Sequence, residues 1–209
     1  MEIKAKGIDI SHWNTVTDFN AVKASGIDFV IIKAGGSDKG FYTDKCFEKY
    51  YQGAKDAGLK VGAYYYVGNM FFGGKSGELD ALRFREIIKG KTFDYPICLD
   101  VENMNKKFQG EITEATIRFC DMLEDFSYYV SIYGSDISTF KELLNINRLG
   151  AYDKWIAKYS SNSPSYVKDY GIWQYSSKGN VPGIKGNVDL DYSFKDYPSI
   201  MEKFGLNRG

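Results

Sequence analysis

Two spacings of apolar residues alternate along most of the chain. GIDIS (7–11) predicts a short strand, and DFNAVKAS (18–25) predicts a helix that stops at Gly26. FVIIKAG (29–35) is apolar almost throughout, the pattern of a strand buried on both faces. A helix over 44–57 closes at Gly58, and VGAYYYV (61–67) reads as the third strand. SGELDALRFREIIKG (76–90) carries a capping Ser76, apolar residues at helical spacing and a terminal Gly90. YPICLDVE (95–102) is the fourth strand, ITEATIRFCDMLEDF (112–126) a helix, and YYVSIYGS (128–135) the fifth strand.

The rhythm then changes. A shorter helical stretch (136–146) precedes WIAKYS (155–160), GIWQYS (171–176) and VDLDYS (188–193), and a last helix follows Tyr197-Pro198. The connections among those three strands hold Ser, Asn, Pro and Gly and are too short for full crossover helices. Five βα units followed by three strands with little helix between them imply an α/β fold with a parallel sheet. Eight strands suffice to close it into a single flattened, TIM-like barrel. No linker or low-complexity run divides the chain, so residues 1–209 are expected to form one domain.

Composition narrows the picture. The chain is 44% hydrophobic and 16% aromatic, with 17 Tyr, 14 Phe and 3 Trp, so some rings are expected to serve as binding surface rather than core. Lys and Arg number 27 and Asp and Glu 27, which gives no pull toward nucleic acid or an anionic membrane. Cys46, Cys98 and Cys120 form no CxxC pair and no disulfide framework; Cys98 and Cys120 fall in apolar segments and read as small core residues. MEIKAKGIDIS reaches a strand without an apolar leader, so no secretory signal is expected and synthesis is expected in the cytoplasm. No apolar run approaches membrane-spanning length.

The acids lie where a barrel would put its mouth. Asp100 and Glu102, two apart in CLDVE, share one face of the fourth strand with Cys98 below, while Ile97, Leu99 and Val101 point to the helices. Asp9 ends the first strand, and Asp189 and Asp191 lie on the last. First and last strands are neighbours in a closed barrel, so Asp9 and Asp189 should meet across from Asp100 and Glu102. A solvated strand end would explain one such pair but not acids on strands one, four and eight. Crowding must raise at least one carboxyl pKa, which keeps a general acid protonated near neutral pH. Tyr64, Tyr66, Tyr133, Trp155, Trp173 and Gln174 are expected on the same rim, and Lys33 on the second strand joins them as a candidate substrate contact. Core packing accounts for part of that set; around an acid cluster, the rings also suit a carbohydrate cleft.

The segments GIDISHWN, FVIIKAG, VGAYYYV, PICLDVE, IYGS, WIAKYS, IWQYS and GNVDLDYS resemble, in this order, the strand motifs of the glycoside hydrolase family 25 lysozymes. These are the Chalaropsis-type N-acetylmuramidases of fungi, bacteria and phage endolysins. The resemblance runs from about Lys6 to Phe194. It implies a barrel of five βα units and three strands, and cleavage of the β-1,4 bond between N-acetylmuramic acid and N-acetylglucosamine in peptidoglycan. By position it places the acid–base glutamate at Glu102, its partner at Asp100, the first-strand aspartate at Asp9 and the last-strand one at Asp189. Many members have Asn where this chain has Asp191. The resemblance calls for no cofactor and no metal, with bacterial cell-wall peptidoglycan as the partner of a monomer that acts on the wall. No separate wall-binding module is visible.

Other readings are weaker. His12 is the only histidine, so neither a His-based triad nor a paired zinc site can be built, and it is expected to orient a neighbour. A hard-metal site at Asp100, Glu102 and Asp189 is chemically conceivable. GGSDKG (35–40) lacks the spacing of a phosphate loop. A chitinase-like or N-acetylglucosaminidase barrel would resemble DGxDxDxE at the fourth strand, where this chain has Pro96 and Cys98 at the upstream acid positions. A non-catalytic glycan-binding barrel would not need all the matched acids.

Overall fold

The computed structural model describes residues 1–209. Eight strands form the barrel: β1 (Ala5–Ile10), β2 (Phe29–Gly36), β3 (Lys60–Tyr66), β4 (Ile97–Asp100), β5 (Val130–Ser135), β6 (Asp153–Ala157), β7 (Ile172–Gly179) and β8 (Val188–Ser193). They pair in the order β1-β8-β7-β6-β5-β4-β3-β2, and β1 also pairs with β2, which closes the ring. Two-residue strands at Tyr42–Thr43, Thr15–Val16 and Ile184–Lys185 decorate it. The helices are α1 (Phe19–Ala24), α2 (Phe47–Asp56), α3 (Gly74–Ile88), α4 (Gln109–Asp125) and α5 (Tyr197–Phe204).

The sheet is not wholly parallel. β1 to β7 run parallel, whereas β8 is antiparallel to both neighbours. The reason is the connection: residues 180–187 are too few for a crossover, and a short link can join only antiparallel neighbours. β8 therefore enters at the mouth and runs inward. Asp189, near its start, pairs with Asp9, and Asp191 lies deeper, opposite Gly7 and Gln174.

Local differences follow from caps and turns. Ser76 is not the cap of α3; Gly73, at φ 74°, is, and the Ser76 hydroxyl donates to the Met70 carbonyl from within the first turn. The expected helix over 136–146 is a wide π-type turn at Ser138–Leu143 and a 3₁₀ turn at Ile146–Arg148. Thr139 at that turn is drawn inward: its hydroxyl donates to the Val101 carbonyl at 3.1 Å and accepts from Ser135 N.

Period-two alternation splits the core. Val30, Ile32, Tyr65, Ile97, Leu99, Ile132 and Ile156 face outward against the helices in one large cluster. Phe29, Ile31, Tyr95, Cys98, Tyr133, Trp155 and Ile172 fill the barrel, with Tyr197 and Met201 of α5 plugging its closed end. The three cysteines are free, and Cys98 and Cys120 are buried, as their apolar settings imply. No helix is long and apolar enough to cross a membrane.

Candidate active site

The mouth lies at the C-terminal ends of β1 to β7. β4 stops at Asp100, two residues earlier than the sequence pattern implies, so Glu102 stands in the turn beyond it. That turn is held: Val101 N donates to the Tyr133 carbonyl at 3.1 Å, and Thr139 holds the Val101 carbonyl. Asn103 then takes φ 58°, the left-handed region that asparagine tolerates better than most residues. Glu102 is half-buried and lines a cleft of about 410 Å³ with Tyr133, Ala157 and Tyr159. Asp136 pins the far wall by accepting backbone N–H bonds from Ser165 and Val167 at 2.8 and 2.9 Å.

Asp100 is 6% exposed, and its Oδ1 has no hydrogen-bond donor. Burial, then the Glu102 charge, pushes its carboxyl well above the usual range, and Lys33 draws it partly back. Burial also raises Glu102, against Lys33 and with help from Asp189. Lys33 is itself buried under aromatic rings, its Nζ 4.6 Å from the Tyr66 ring centre and 5.8 Å from that of Tyr64. Lys33 is thus the one ammonium that acts on the carboxyls of Asp100 and Glu102.

Across the pore, Asp9 accepts from Gln174 Nε2 at 2.7 Å, and Gln174 Oε1 accepts from Tyr133 and Tyr159 at 2.8 and 2.9 Å. Asp191 accepts from Trp155 Nε1 at 2.8 Å. Burial lifts Asp189 to about 6 and Asp191 to about 8. Both last-strand aspartates face inward, with Asp189 at the rim and Asp191 on the floor.

The structure therefore brings together Asp9, Asp100, Glu102, Asp189, Lys33, Tyr64, Tyr66, Tyr133, Trp155 and Gln174. Trp155 lies beneath the others and is 1% exposed, so it is floor rather than contact surface. Trp173 does not belong to the group. It alternates with Gln174 along β7, so it points outward, donates to the Lys158 carbonyl and packs edge-on against Tyr175 and Tyr192. Adjacent strand residues cannot both face the cleft. His12 donates its backbone N–H to buried Asp44, and its Nδ1 lies 2.5 Å from the same carboxylate, which also receives the Cys46 N–H.

Sequence reasoning passed over Tyr159 and Trp13. Tyr159 continues the period-two row Trp155, Ala157, Tyr159 past the end of β6, and that continuation was the available signal. Trp13 is 81% exposed on the loop after β1, its ring tilted against that of His12, and had no strand pattern to mark it.

The chain belongs to the glycosyl hydrolases family 25, whose family model matches residues 8–184. It is 35% identical over 186 residues to the autolytic lysozyme of Clostridium acetobutylicum, an alignment that covers 89% of this chain and 55% of that protein. The chain thus spans little more than half the length of that curated relative. Among solved structures, the CTP1L endolysin superposes with a TM-score of 0.81 at 28% identity, covering 95% of this chain and 70% of the endolysin. The modular autolysin LytC from Streptococcus pneumoniae, solved in complex with a synthetic peptidoglycan ligand, superposes at 0.74 and 25% identity, covering 91% of this chain and 46% of LytC.

Proposed function

We propose that this protein is a peptidoglycan hydrolase, an N-acetylmuramidase that cuts the β-1,4 bond between N-acetylmuramic acid and N-acetylglucosamine. The observation that carries the reading is the pair at the end of β4. Asp100 keeps a buried oxygen without a donor, beside a glutamate lifted toward neutrality at the edge of an aromatic cleft. An acetamido N–H supplies the missing donor, and a raised glutamate supplies the proton that the leaving oxygen needs.

Glu102 acts as the general acid. Asp100 orients the 2-acetamido group, whose oxygen closes on C1, in the substrate-assisted variant of glycoside hydrolysis. A protein nucleophile would need carboxyls about 5–5.5 Å apart and flanking the sugar. Asp100 and Glu102 instead project from one strand end. Asp9 and Asp189 bind sugar hydroxyls or water on the opposite wall. Lys33, Tyr64 and Tyr66 line the glycan path, and the protein acts as a monomer on the bacterial wall.

Incubation with purified walls, read by turbidity and by the identity of new reducing ends, tests the activity. New muramic acid ends are expected. New glucosamine ends would make it a glucosaminidase, and none would make it a binder. NMR of the first-formed product tests the mechanism. An initial β-anomer is expected, and an initial α-anomer sinks the role given to the acetamido group.

A further inference from the structure

Asp191 has no part in the steps above, yet it is the most deeply buried carboxyl of the mouth, with no exposed surface. Its Oδ1 takes the Trp155 N–H, and its Oδ2 is buried without any donor. The register of β1 and β8 sets Asp191 diagonally across from Asp9, and their carboxyls interact. Asp9 is equally committed, since its Oδ2 takes the Gln174 amide at 2.7 Å. Two facing carboxylates offer only acceptors, so a bond between them exists only if a proton lies between them.

No cation compensates the pair. Lys33 stands over the Tyr66 ring and acts on Asp100 and Glu102. The other titratable groups that act on the pair are Asp189 on β8, Tyr64 on β3, Tyr133 on β5, Tyr159 after β6, Tyr175 on β7 and Cys98 on β4, none of them positive. Adjacent buried anions without a counter-charge are costly enough that one of them neutralises instead.

We propose that Asp9 and Asp191 hold one proton between them, and that Asp191 is thereby a positioning residue for the cleft wall opposite Glu102. The bonds form one chain: the Trp155 N–H to Asp191, the shared proton to Asp9, and the Gln174 N–H to Asp9. Tyr133 and Tyr159 give their O–H to Gln174. With both phenol protons committed, the oxygens at the cleft wall accept, so that wall selects a ligand N–H or O–H. The raised position of both carboxyls, caused first by burial, agrees with one retained proton at pH 7. Loss of that proton in alkali sets two anions against each other and disturbs the whole chain.

The test has two arms, and only the second rests on the muramidase reading. Infrared titration of the full chain should show a protonated-carboxyl stretch at pH 7 that bleaches near pH 8. Asp191→Asn supplies an amide N–H to Asp9 in place of the proton, so part of that band should vanish, and Asp9→Asn should remove the same part. A band unchanged in both variants overturns the proposal, whether or not the protein is an enzyme. In wall lysis at pH 6, Asp191→Asn should outperform Asp191→Ala by about tenfold, because alanine leaves the Trp155 N–H without an acceptor. The alkaline fall in wild-type kcat should move upward in Asp191→Asn. Equal rates for the two variants, or an unmoved alkaline limb, overturn the positioning role.

Discussion

The two ends of the barrel treat buried carboxylates in opposite ways. At the closed end, Asp153 is 9% exposed and saturated: it accepts from Tyr197 at 2.5 Å, Tyr129 at 3.2 Å and its neighbour's backbone N–H at 2.8 Å, and Lys195 lies 3.1 Å away. Gly171 makes room, since a Cβ there would lie 1.8 Å from the Tyr197 hydroxyl. At the open end, Asp100 is as buried, and its Oδ1 has no donor. A carboxylate that stabilises is surrounded by donors before any ligand arrives, whereas one that does chemistry keeps its bonding capacity in reserve.

The sharpest way to break this contrast is Glu102→Gln. It should cut wall lysis by about 10²–10⁴-fold, the usual weight of general acid catalysis, while the melting temperature stays level or rises. A variant with more than half the wild-type activity would take Glu102 out of the role. Next comes a stability comparison by urea unfolding. Asp153→Ala should cost about 3 kcal/mol, because it strands two phenols and an ammonium at the closed end. Asp100→Asn should cost nothing or stabilise, since it removes a buried charge. Equal losses in the two proteins would erase the distinction.

A smaller effect is expected from pH. Asp189 at about 6 and Asp191 at about 8 sit above their unfolded values near 4, so the folded state binds protons that the unfolded state has released. Their stabilising contribution is complete below pH 4 and declines as pH rises through 6 to 8. The melting temperature should fall across that window, and Asp191→Asn should flatten the fall; a steady rise would contradict the raised carboxyls. The smallest effect separates the cleft wall from the outer face of β7. Tyr159→Ala in a Glu102→Gln background should weaken glycan binding by about 1 kcal/mol. Trp173→Ala should lower stability and leave affinity alone, and an affinity loss there would return Trp173 to the cleft.

Most of the barrel was legible because burial on both faces writes itself as apolar runs, and because short connections rule out crossover helices. The direction of β8 followed from the length of residues 180–187, which excludes a parallel return, but the regular alternation before it masked that consequence. The four matched acids could be placed by strand parity. Trp173 was misplaced by ignoring the same parity one residue from Gln174. Trp13 and the turn that carries Glu102 were out of reach, since they depend on loop backbone such as Asn103 rather than on any periodic pattern.

The hydrogen bond from Gln174 to Asp9 joins residues 165 positions apart, and β1 is held between an early strand and the last one. During synthesis the ribosome releases Asp9 long before its partners. β1 can pair with β2 at once, but the ring stays open until β8 emerges. Its floor waits for Asn207, whose side chain donates to the Tyr95 carbonyl and accepts from Tyr129 N. A nascent or prematurely terminated chain therefore carries Asp100 and Glu102 without their opposing wall. On the muramidase reading proposed above, lysis is withheld until translation of the fold is finished.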